Sequence, residues 1–124
     1  NKNDLNIPIK NFQLSGNKNI NRNIVSSLKL KENKKSGYQL KLLSNSNLEV
    51  VSRSSTGSAA IYRSTITVEL SLIKQDEIIK QKKFSSSFTY NNIENKFDLT
   101  QYQKNIELNL INKITEEIFI FLNT

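Results

Sequence analysis

The chain has 124 residues, 36% hydrophobic and 23% charged, with 18 Lys and Arg against 11 Asp and Glu and a formal net charge of +7. That length suits one domain, 1–124, which can bury roughly two thirds of its unfolded surface without a metal or disulfide staple. Cys and His are absent, which excludes disulfides, Cys/His zinc sites, iron–sulfur clusters, thiol nucleophiles and Ser-His-Asp triads.

Most of the basic residues are Lys, and Asn and Ile are also frequent. This pattern reads as an AT-rich coding bias that raises charge and polarity without functional meaning. No stretch nears the ~20 apolar residues of a membrane span; the longest apolar run is Ile118 to Leu122. The chain opens on Asn1 rather than Met, so a fragment or a processed form is expected.

The first predicted element is a strand over Leu5 to Leu14, where Leu5, Ile7 and Ile9 alternate with polar positions. Pro8 cannot donate to a ladder and points to an edge or a strand start. Ser15-Gly16-Asn17 breaks that pattern. Ile20, Ile24 and Leu28 then recur every four residues, the stripe of an amphipathic helix over Asn17 to about Leu30. Lys31, Lys34 and Lys35 are expected near its negative end.

A long strand is predicted over Gly37 to Arg53, with a polar interruption at Ser44 to Asn47 as a bulge or extra turn. Ser54 to Ser58 is a turn cluster around Gly57. Ala59 to Lys74 alternates again. Tyr62, Ile66, Val68, Leu70 and Leu72 share one face, and Arg63, Thr65, Thr67, Glu69 and Ser71 the other. Gln75-Asp76-Glu77 is a tight connection to a strand over Glu77 to Tyr90, which completes an antiparallel hairpin. Phe84, Phe88 and Tyr90 fall on one side of that strand.

Asn91 to Phe97 is expected as a polar loop. Asp98 suits a helix N-cap, with Gln101 completing a capping box. Leu99, Tyr102, Ile106, Leu110, Ile114, Ile118 and Phe121 mark one apolar stripe along a helix over 98–122. Leu108 and Phe119 fall off that stripe and are candidate partner contacts. The order is β-α-β-β-β-α. The economical packing is an α+β two-layer sandwich, two helices on one face of a four-stranded sheet. Tyr62, Ile66, Val68 and Leu70 should then face Ile106, Leu110 and Ile114.

Catalysis finds no convergent group. The adjacent acids Asp76-Glu77 and Glu116-Glu117 fall in a turn and near a helix end, where they are ordinary solvated charges. Ser85, Ser86 and Ser87 alternate faces of a strand. Thr56-Gly57-Ser58 lacks the strand-to-helix setting of a nucleophile elbow, and the three glycines make no phosphate loop. No enzyme activity and no cofactor are expected.

The positive charge and the strand aromatics raise the possibility of a nucleic-acid surface. The aromatics, however, belong to the side that the helices should cover. The element order also differs from the β-α-β-β-α-β of the common RNA-binding sheet. Nucleic acid is therefore not the expected partner. The loop ends of the sheet offer more. Antiparallel pairing brings the turn after Arg53, the residue Arg63 shortly beyond it, and the loop holding Lys96 to one end. Neighbouring loops on a rigid sheet make a binding tip, and cations there can meet phosphate or acidic sugars.

Ser55-Thr56-Gly57-Ser58-Ala59, followed by Tyr62-Arg63 in an alternating strand, a second strand and a long capped helix, resembles the lipopolysaccharide-assembly lipoproteins of the LptE family, alphaproteobacterial type. The likeness runs over most of the chain and is strongest from Gly37 to Leu122. It implies a non-enzymatic lipoprotein of the cell outer membrane, on the periplasmic face. Such a protein plugs an LptD-like β-barrel and assists lipopolysaccharide transport and insertion into the outer leaflet. The lipidated cysteine of that family is not in this sequence, so the anchor would lie outside it. By position in the two tip loops, Arg53 and Lys96 resemble the family's lipopolysaccharide-binding cations, with Arg63 in reserve. Ser55, Thr56, Gly57 and Ser58 would form the partner-binding loop. The alternative is another small periplasmic lipoprotein with a similar sandwich, and a basic nucleic-acid module ranks third.

Overall fold

The computed structural model describes residues 7–30 and 32–124. Its elements run β1 (Asn11–Gly16), α1 (Lys18–Ser27), β2 (Tyr38–Arg53), β3 (Ala59–Lys74), β4 (Glu77–Asn91) and α2 (Lys96–Leu122). The four strands form one sheet in the order β1-β2-β3-β4. β1 pairs parallel to β2, and the other neighbours pair antiparallel. This is the expected β-α-β-β-β-α fold, with both helices packed on the sheet in a single hydrophobic core.

Strand alternation places the core. Leu40 and Leu42 of β2, Ile66, Val68, Leu70 and Leu72 of β3, and Phe84 and Tyr90 of β4 are buried. Opposite them lie Ile20 and Ile24 of α1 and Ile106, Leu110, Ile114 and Ile118 of α2. Of the predicted strand–helix contacts, only Tyr62 stays partly exposed while packing on this cluster. Phe119 also packs against the core, so it is no free surface residue, whereas Leu108 is exposed.

Element ends differ from the sequence reading in four places. β1 begins at Asn11 and runs through the expected break to Gly16; upstream, among the described residues, Ile9 forms an isolated bridge with Glu32, and Leu5 lies outside the described residues. α1 ends at Ser27. Its end is a Schellman cap: Lys29 takes φ +54°, its N–H donates to the Ser26 carbonyl, and the Leu30 N–H donates to the Val25 carbonyl. Lys34 and Lys35 therefore follow in a separate turn rather than in the last helical turn, and Lys31 lies outside the described residues. The Ser44 to Asn47 segment continues the strand without interruption, and the irregular pairing falls at Val50 to Arg53 instead. At α2 the N-cap is Asn95, whose Oδ1 accepts from the Asp98 N–H at 3.1 Å. Asp98 sits in the first turn, where its charge suits the positive helix end.

The β3–β4 connection is a two-residue turn in which Gln75 and Asp76 both have positive φ, the geometry that matches strand twist. A polar clamp joins β1, α1 and β2. Asn21 is buried and donates from Nδ2 to the Ser15 carbonyl at 3.0 Å. The buried Ser44 hydroxyl lies 2.7 Å from Asn21 Oδ1 and 3.0 Å from the Asn17 carbonyl. The Asn17 N–H donates to the Ser44 carbonyl at 2.9 Å. Satisfied polar groups of this kind cost little and leave one arrangement open to the chain.

Candidate functional site

The tip is the turn that joins β2 to β3. Within it the Ser54 N–H donates to the Ser58 carbonyl at 2.8 Å, and the Gly57 N–H donates to the Ser54 carbonyl at 3.0 Å. The Ser54 and Thr56 hydroxyls are 2.9 Å apart. Gly57 has φ +89°, and a Cβ added there would meet no atom within 4 Å. Conformation rather than space selects glycine.

Three strands bring the predicted loops together. Arg53 pairs with Ala59, and Ile61 pairs with Asn91. Asn92 then ties the two loops: its N–H donates to the Ala60 carbonyl at 2.9 Å and its Nδ2 to the Ala59 carbonyl at 2.8 Å. Arg53, Ser55, Thr56, Gly57 and Ser58 are exposed at this end of the sheet. Lys96 is exposed there too, but as the first residue of α2 rather than as part of the loop.

The predicted cations differ in what they touch. Arg53 folds over its own turn, Nη1 donating to the Gly57 carbonyl at 2.9 Å. Arg63 lies on the sheet face away from the helices. Its Nη1 pairs with Glu49 Oε1 at 3.2 Å and its Nε donates to Thr89 Oγ1 at 3.2 Å. Glu49 and Arg63 are equally far from Thr56 in the sequence, so a hairpin centred on that residue would have pointed to their pairing. Arg63 is thus committed to a cross-strand pair, while Arg53 and Lys96 present cations at the tip. Glu94 and Asp98 beside Lys96 keep the tip from being a broad basic field.

The helix-free face of the sheet is a second feature. Register sets Asn45 beside Thr67, Asn47 beside Thr65, Thr65 beside Ser87 and Thr67 beside Ser85. These residues share the face that the core does not use and put hydroxyls and carboxamides at its centre, between the Glu49–Arg63 pair on one side and Leu43, Glu69 and Lys83 on the other. The described residues contain no group of His, Cys, Asp or Glu able to hold a metal ion.

Solved structures share this architecture. Rare lipoprotein B from Shewanella oneidensis superposes with a TM-score of 0.69 at 14% identity, over 91% of this chain and 93% of that one. The chain shares the fold of this lipoprotein. A minor lipoprotein from Acinetobacter baumannii matches with a TM-score of 0.66 at 13% identity, over 90% of each chain. A lipoprotein B from Nitrosomonas europaea matches at 0.67 and 10% identity, over 94% of this chain and 83% of that one. No protein-family model matches the sequence, and no curated protein does. At such identities the likeness speaks for the fold.

Proposed function

We propose that this chain is an LptE-type assembly lipoprotein. It has no catalytic role, is anchored at the periplasmic face of the outer membrane, fills an LptD-like barrel, and assists lipopolysaccharide transport into the outer leaflet. The observation that carries this reading is the likeness to rare lipoprotein B over nine tenths of both chains. Two features of the molecule agree with it. The helix-free face, rich in Ser, Thr and Asn, suits the polar interior of a barrel. The tip holds Arg53 and Lys96 on a rigid three-strand end, where a planar fork and a mobile point charge can meet phosphate and acidic sugars.

The first test is co-purification with an LptD-like barrel expressed from the same genome. The second is lipopolysaccharide binding by the double variant Arg53→Asp, Lys96→Asp. Its stability should stay within about 0.5 kcal/mol of the parent, because both residues are exposed and away from the core. Binding should fall, and the parent's binding should weaken with salt as exposed charges are screened. Wild-type binding by the double variant, with the same salt response, would remove the tip from the reading.

A further inference from the structure

β4 is an edge strand: it pairs with β3 on one side, and among the described residues no strand lies beyond it. Its fifteen residues divide in two. The half near the β3–β4 turn carries Lys82 and Lys83, charges of the kind with which edges ward off further strands, and Lys80, whose Nζ donates to the Phe121 carbonyl at 3.1 Å and the Thr124 carbonyl at 2.6 Å. Lys82 lies over the Phe84 ring at 5.4 Å and the Phe121 ring at 5.7 Å. The other half, Ser85 to Asn91, has no charge and no proline.

The hydrogen-bond register shows which backbone groups are spare. The Asn92 N–H donates inward to the Ala60 carbonyl. Antiparallel ladders alternate between bonded and non-bonded pairs. Tyr90, Phe88 and Ser86 therefore bond inward to β3, and the N–H and C=O groups of Thr89, Ser87 and Ser85 point out of the sheet. Beside this row a groove of about 430 Å³ runs between β4 and α2. Phe88, Tyr102, Ile106 and Leu110 make its apolar part, and Asn105 and Asn109 stand among its polar residues. Phe88 is 48% exposed although its neighbours Phe84 and Tyr90 on the same side of β4 are buried.

The groove has a direction. Tyr102 meets Tyr90 ring to ring at 5.6 Å, and Phe121 meets Phe84 at 5.7 Å, so α2 runs antiparallel to β4. Lys113 lines the groove, further along α2 than Tyr102 and so towards the Phe84 end. It makes no ion pair among the described residues. A strand antiparallel to β4 would run towards Lys113 and end there.

We propose that the upper half of β4 and this groove receive an extended peptide from a partner protein as a fifth, antiparallel strand. Its backbone bonds to Ser85, Ser87 and Thr89. Its alternate apolar side chains enter beside Phe88 and Ile106, and a carboxylate at its C-terminal end meets Lys113. Strand addition of this kind draws affinity from main-chain bonds and specificity from the pockets beside them. Lys113, with Lys82 further down the same side of β4, selects an acidic end.

The test uses the whole chain and two fluorescein-labelled heptapeptides of alternating Val and Thr, one ending in Asp with a free carboxylate and the other in an amidated Lys. The acidic peptide should bind, and on binding it should protect the amides of Ser85, Ser87 and Thr89 from hydrogen exchange. Lys113→Glu should cost the acidic peptide about tenfold or more in affinity, the worth of one charge-assisted bond, and reverse the preference between the two. Ser87→Pro removes one outward N–H at an edge position that tolerates proline. It should weaken binding while leaving lipopolysaccharide binding at the tip unchanged, which separates this proposal from the assembly function. If Ser87→Pro does not fold, amide protection in the parent decides. Absence of protection at those three amides, or equal affinity for both peptides in the parent, overturns the proposal.

Discussion

The two halves of the long hairpin obey the same alternation yet have opposite surroundings. Below Ser44, β2 lies between β1 and β3 under α1, and Leu40 and Leu42 are wholly buried. Above it β1 has ended, and among the described residues no strand pairs with the outer edge of β2 as far as Arg53. There Leu48 is 54% exposed and Val51 42% exposed. On the far side α2 continues upward and keeps Ile66 and Tyr90 buried. In the upper half the β2 corner and the tip therefore stand clear of the core, and Phe88 of β4 is half exposed. The lower half supplies cohesion, and the upper half supplies surface held in place by β3 and β4. Apolar residues of similar size thus differ in worth by how much water each excludes.

The largest way to break this division is in the core that α2 seals against the sheet. Leu110 is buried in the core, and Leu110→Ala should cost about 2–5 kcal/mol in chemical denaturation. A loss below 0.5 kcal/mol, a surface-like value, would mean that α2 does not seal the sheet. The next probes the boundary. Gly16 has φ +87°, and a Cβ there would stand 2.0 Å from the Ser44 carbonyl oxygen. Gly16→Ala should cost about 2–3 kcal/mol through backbone strain and clash, and the same denaturation curve reads it. A neutral result would show that β1 can leave β2 by another path. The smallest effect belongs to the upper half. Leu48→Thr should change stability by no more than about 0.5 kcal/mol, and a larger loss would show that this corner is covered after all.

These contrasts separate what is local in the chain from what is not. The alternation of Ile66, Val68, Leu70 and Leu72 and the stripe of Ile106, Leu110, Ile114 and Ile118 are local signals. They placed the elements and the buried faces, because burial on one side of a strand or helix imposes period 2 or 3.6 on the sequence. The tip was legible for the same reason: antiparallel pairing sends Arg53 and the Asn92 loop to one end whatever lies between. The end of α1 was not legible. Its αL position is held by Lys29 instead of the usual Gly, and Leu28 and Leu30 continue the apolar stripe past the last helical turn.

Residues far apart in the chain decided the rest. Ser44 looked like a break in a strand because its neighbours are polar. It is a buried anchor because Asn17 and Asn21, from another element, complete its hydrogen bonds. Arg63 looked like a tip cation, but pairing across the hairpin commits it to Glu49. The groove beside β4 exists only because α2, while packing on Phe84 and Tyr90 to either side, leaves Phe88 half exposed between them. The sequence by itself determined the element order, the core faces and the hairpin tip, since each follows from the period of a single segment. Tertiary structure alone decided which polar residues are satisfied, which cations remain available and which strand edge stays open, since each depends on partners that the chain brings together only when it folds.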